Sequence, residues 1–125
     1  MSVVASLDSC EVIAVDPEKV ALALENAPEP GEIAGLAQLF KLLGDPKRIR
    51  MLYALLEAGE LCVCDLSTAV EVPETTVSQA LRLLRTAGVV EHRRSGRMVY
   101  YRLADAHVRM LLDLSREHTR HDGAH

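Results

Sequence analysis

The first 17 residues show no clear hydrophobic period, and the pattern turns helical at Pro17. PEKVALALENA predicts a short helix, stopped by the run Pro28, Glu29, Pro30 and Gly31. Ile33, Leu36, Phe40 and Leu43 recur at helical spacing and predict a second helix over 32–43. Gly44, Asp45 and Pro46 then punctuate the chain: glycine suits a helix end, aspartate an N-cap and proline a first helical position. The third helix is expected to run to Ala58, to turn Ile49, Leu52, Tyr53 and Leu56 inward, and to stop at Gly59.

Beyond Gly59 the elements shorten. Residues 65–70 predict a short helix, 71–73 a turn, and 74–87 a longer helix ended by Gly88, with Val77, Ala80, Leu81 and Leu84 on its inner face. Val89–Arg94 and Met98–Leu103 are strand-like, and Ser95, Gly96 and Arg97 between them signal a hairpin. A last helix over 104–121 carries Val108, Leu111, Leu112 and Leu114. This order predicts a mainly α (α+β) winged helix-turn-helix with a β-hairpin wing. The expected organisation is a flexible N-terminal arm (1–17), one DNA-binding and dimerisation domain (18–121) and a short tail (122–125).

With 125 residues the chain has the size of one domain, and 49% hydrophobic against 26% charged residues excludes a wholly disordered chain. No apolar run approaches the roughly 20 residues of a membrane span. The N-terminus lacks a basic region ahead of its apolar residues, so it does not read as a secretory signal. Three cysteines cannot close into a full disulfide framework. Free thiols and a cytoplasmic location are therefore expected, with no membrane partner.

The formal net charge of −4 hides an asymmetry. Residues 1–45 hold eight acids against two lysines, whereas 82–102 hold six arginines against Glu91 alone. Such a segment fits a polyanion partner, or simply a solvated charged face. The helix over 74–87 sharpens the choice, because Thr75, Thr76, Ser78 and Gln79 are short hydrogen-bonding side chains near its start, suited to a major groove, and Arg82 can reach the backbone. Arg93, Arg94 and Arg97 lie at or near the hairpin tip, in reach of phosphates or a minor groove. The expected partner is double-stranded operator DNA.

The last helix carries a second chemistry. Asp105 and His107 stand at its start, and His118 and His121 at its end on one face. Carboxylate and imidazole suit zinc or a similar divalent ion. His107 and His118 are 11 residues apart, about 16 Å along a helix, so one straight helix cannot bring both ends to one metal. An antiparallel second copy can, giving two intersubunit sites per homodimer. Four protein ligands leave no open position for a substrate water, which favours a structural or regulatory ion over a catalytic one. Cys62 and Cys64, two residues apart in a segment expected to be extended, form a second candidate with the distant Cys10. That softer site would take Cd(II), Pb(II), Cu(I) or As(III); the plain alternative is that Cys62 and Cys64 are small buried hydrophobes.

Together these blocks resemble the ArsR/SmtB family of metal-responsive repressors over roughly residues 32–121. The resemblance rests on LFKLLGDPKRIRMLYAL (39–55), ELCVCDL (60–66), VSQALRLLRTAGVV (77–90) and RRSGRMVYYRL (93–103), and on a C-terminal pattern at Asp105, His107, His118 and His121. It implies a homodimeric repressor, joined through its N- and C-terminal helices, that leaves its operator when metal binds (zinc, with cadmium or lead as further effectors) and so turns on export, sequestration or detoxification genes. It also implies that His118 couples metal to DNA through the recognition helix near Gln79. Ala14 stands where cadmium/lead sensors of the family have a second arm cysteine, and Ser67 where the compact arsenic box has its third. A thiolate sensor of arsenic, cadmium or redox state using Cys10, Cys62 and Cys64 is the alternative within DNA binding. A metal-storage protein or zinc enzyme is the alternative from another class. The chain shows no Gly-rich phosphate loop and no HExxH motif, so no enzyme is expected.

Overall fold

The structure, a computed structural model, describes residues 14–123, with side chains through Arg120. Cys10 lies outside the described residues, and so does the side chain of His121. Six helices and three strands follow in order: α1 (Pro17–Glu25), α2 (Pro30–Leu43), α3 (Pro46–Ala58), β1 (Leu61–Cys62), α4 (Val63–Val70), α5 (Glu74–Thr86), β2 (Val90–Ser95), β3 (Met98–Leu103) and α6 (Ala106–Gly123). No helix among the described residues is long and apolar enough to cross a membrane.

The contacts divide the chain into two compact units, one ending at Leu36 and the other beginning at Ala37. In the first, the Asp16 carboxylate accepts the Lys19 amide at 3.1 Å and caps α1, which buries none of its own residues. Leu22 and Leu24 stay exposed there.

The second unit holds the core. Asp45 accepts the Arg48 amide at 3.0 Å, so the N-cap expected at the start of α3 is present, and Gly59 ends that helix at φ +87°. Met51, Leu52 and Leu55 are its buried residues, whereas Ile49, Tyr53 and Leu56 are only half-buried. The inward face is thus rotated from the expected one. The reason is tertiary: Met51, Leu52 and Leu55 meet the buried side chains of α4 and α5, while Tyr53 lies on the flank and donates its hydroxyl to the Leu112 carbonyl of α6 at 2.6 Å. Leu66 and Val70 of α4, Val72, then Val77, Ala80, Leu81 and Leu84 of α5, and Val89, Val90, Leu103 and Leu112 complete the core. Replacing Asp45 with alanine orphans the Arg48 amide. That change is expected to cost about 0.5–2 kcal/mol, read as a lower urea midpoint at unchanged m.

The sheet is antiparallel in the order β1-β3-β2. Ser95 pairs with Met98 across a two-residue turn at Gly96 and Arg97, and Gly96 takes φ +62°, which makes glycine the fitting residue there. Side chains alternate across the sheet. Val90 and Leu103 face the core, and Glu91, Arg93, Tyr100 and Arg102 share the other face. The two-residue strand β1 was not expected, because so short a segment carries no readable period. It pairs Leu61 with Tyr101 and Cys62 with Tyr100.

Candidate DNA interface and ligand groups

Helix α5 is amphipathic in the expected sense. Val77, Ala80, Leu81 and Leu84 are buried and seat it on the domain, while Thr75, Gln79 and Arg82 are exposed and Thr76 and Ser78 half-exposed. Thr76 and Gln79 also line a small cavity with Asp45, Lys47 and Arg48 from the start of α3. The far end of α5 is tied to the wing: Arg85 Nη1 lies 2.8 Å from His92 Nδ1, and the His92 ring packs on Tyr101 at 5.6 Å.

The wing arginines are not equivalent. Arg94 and Arg97 are exposed near the turn, and among the described residues no ion pair engages them. Arg93 behaves otherwise than its place near the tip suggested. Its Nη2 and Nε donate to Glu60 Oε1 and Oε2 at 2.7 and 2.8 Å, and its guanidinium lies 4.8 Å from the Tyr100 ring centre. The Arg93 hydrogen bonds hold the Glu60 carboxyl below the usual glutamate range and raise the arginine in turn. Residues from the loop before β1 are distant in sequence from the wing, so nothing local in the sequence announced this pair.

The structure separates the two box cysteines. Cys62 lies on β1 and is 4% exposed, whereas Cys64 is the second residue of α4 and is exposed. The extended segment that would aim both thiols the same way is therefore absent, because α4 begins at Val63. Glu74, at the start of α5, raises the Cys64 thiol above its ordinary range, with burial, Cys62 and Asp65 adding to the shift.

At the start of α6 two of the expected donors come together. His107 Nδ1 lies 3.7 Å from Asp105 Oδ2, with both side chains exposed. Asp105 also caps the helix: its Oδ1 accepts the Val108 amide at 3.1 Å, which lowers its pKa, and His107 lowers it further. His118 is exposed near the other end of α6, and His121 is on the same helix. Carboxylate plus imidazole is a borderline-hard pair of the kind zinc accepts. It supplies two of four ligands.

A helix-turn-helix seated on a packed core, followed by a hairpin whose tip carries arginines in no ion pair among the described residues, defines a winged helix-turn-helix DNA-binding protein. Residues 45–92 match the family described as bacterial regulatory protein, arsR family. The chain is 37% identical over 113 residues to the cadmium resistance transcriptional regulatory protein CadC homolog of Staphylococcus aureus, covering 90% of this chain and 93% of that protein. It is 45% identical over 98 residues to the transcriptional repressor SmtB homolog of a Synechocystis strain, covering 78% and 67%. Its fold is similar to the solution structure of a homodimeric winged helix-turn-helix DNA-binding domain from Mycobacterium bovis, a possible ArsR-family transcriptional regulator. There the TM-score is 0.70 at 31% identity, over 80% of this chain and 95% of that one. The chain belongs to the ArsR family. It is a DNA-binding transcriptional regulator and not an enzyme.

Proposed function

We propose that this chain is a cytoplasmic, homodimeric, metal-sensing transcriptional repressor whose apo form holds operator DNA and whose zinc-bound form lets go. The observation that carries the reading is the paired, exposed Asp105 and His107 at one end of a helix whose other end carries His118. The two ends are about 16 Å apart along the helix, so the donor set closes only when an antiparallel copy brings its His118 and His121 to the first copy's Asp105 and His107. Zinc there would join the two protomers, each carrying its own α5 and wing. Relatives named as a CadC homolog and an SmtB homolog support a metal effector.

On the DNA side, Thr75, Thr76, Ser78 and Gln79 enter the major groove, Arg82 takes a backbone phosphate, and Arg94 and Arg97 contact phosphates or the minor groove beside it. Gln79 is the end of the coupling route and His118 its beginning. Metal must favour the conformation that binds DNA poorly, otherwise it shifts nothing. A thiolate site for cadmium, lead or arsenite at Cys10, Cys62 and Cys64 is the second reading, and the burial of Cys62 is what favours the histidine site over it.

The test is fluorescence anisotropy of a labelled duplex from the promoter region of the chain's own gene. Affinity in chelator is expected to exceed affinity in zinc by about 5–150-fold, the usual range of allosteric coupling. Equal affinities would overturn the sensor reading.

A further inference from the structure

The outer face of the wing carries a built electrostatic network that DNA binding as described above does not use. The pairing register puts Glu91 and Arg93 of β2 and Tyr100 and Arg102 of β3 on one face. Arg93 is held by both oxygens of Glu60 at 2.7 and 2.8 Å, and Arg102 donates to Glu91 at 2.7 Å while standing 3.8 Å from Glu60. Tyr100 lies under the Arg93 guanidinium, 4.8 Å from its ring centre. Arg94 sits opposite Val99, on the other face of the same ribbon, and Arg97 is in the turn.

A bidentate carboxylate fills the same planar fork of guanidinium donors that a phosphate would fill. Exposed ion pairs add little stability singly, and this one combines two-point geometry, a stacked ring and a second arginine. Its consequence is selection of cations. We infer that Glu60 is a positioning residue that keeps Arg93 off the duplex, so that the wing neutralises phosphates through Arg94 and Arg97 alone. Glu60 thereby limits the sequence-independent part of the affinity and leaves discrimination to α5. The inference rests on the DNA-binding reading and concerns which side chains serve it.

The salt dependence of duplex binding tests it, because each phosphate neutralised adds about 0.9 to the slope of log affinity against log salt. Anisotropy with a promoter duplex and with a random-sequence duplex is measured across a potassium chloride series. Glu60→Gln is expected to steepen the slope by about 1 and to tighten random-sequence binding at low salt, since Arg93 is released to a phosphate. Arg93→Gln alone is expected to leave the slope unchanged, and Glu60→Gln combined with Arg93→Gln to return to the native slope. A merely structural role for Glu60 would weaken binding without steepening the slope. A native slope that falls with Arg93→Gln alone, or a folded Glu60→Gln protein of native slope, overturns the inference. Should Glu60→Gln fail to fold, Arg93→Gln decides by itself. Native protein with no salt-dependent duplex affinity would instead overturn the DNA-binding reading, so the two failures are distinct.

Discussion

Leu81→Ala is expected to remove about 2–5 kcal/mol of folding stability and with it most duplex binding at ambient temperature. Leu81 has 0% exposure and belongs to the cluster of buried residues that joins α3, α4, α5 and the wing. Truncation leaves a cavity under α5 that a close-packed core refills only in part. A small domain has only about 5–15 kcal/mol to lose, so the expected loss is a large fraction of the total. The measurement is a urea titration followed by circular dichroism, with a lowered midpoint at unchanged m. Arg82→Ala, one residue on, is the control: it is exposed, so its midpoint should move by no more than about 0.5 kcal/mol while duplex affinity falls. A native midpoint for Leu81→Ala would mean that α5 is not held by this cluster.

His118→Ala is expected to abolish zinc-driven release while apo duplex affinity stays native. The native protein should lose about 5–150-fold in affinity on zinc binding and the variant none. By linkage, operator DNA should weaken zinc binding to the native protein by the same factor and leave the variant's residual zinc affinity untouched. Competition against a zinc-chelating dye, with and without duplex, measures this second arm. Asp105→Ala would give a mixed result. The Asp105 carboxylate caps α6 through the Val108 amide, so its removal would disturb the helix as well as the ligand set. Asp105→Asn keeps an acceptor for the cap while removing the charge, and should weaken zinc binding with little loss of stability. Zinc release at native strength in His118→Ala would move the switch elsewhere on the chain.

Much of the fold was legible in the residues because its signals are local. Asp45, Pro46 and Gly59 bound α3, and each acts through hydrogen bonds or dihedral angles within a few residues. Val77, Ala80, Leu81 and Leu84 recur at the helical period, and all four are buried as expected. The hairpin turn at Gly96 needs only one residue able to hold φ +62°. Errors arose where a neighbour distant in sequence decides. Ile49, Leu52, Tyr53 and Leu56 make as good a helical stripe as Met51, Leu52 and Leu55; both share Leu52, and the placement of α4 and α5 buries the second set fully. Cys62 and Cys64 were expected in one extended segment, but β1 ends at Cys62 and α4 begins at Val63.

By itself, then, the sequence determined the order of the helices, the inner face of α5, the hairpin and the residue types offered by α6. Periodicity, capping and ligand type are properties of short stretches of chain. Tertiary structure alone decided which arginines of the wing are committed to carboxylates and which are open to phosphate. Glu60 and Arg93 are 33 positions apart, and only the pairing of β1 and β2 on either side of β3 brings that carboxylate onto that guanidinium.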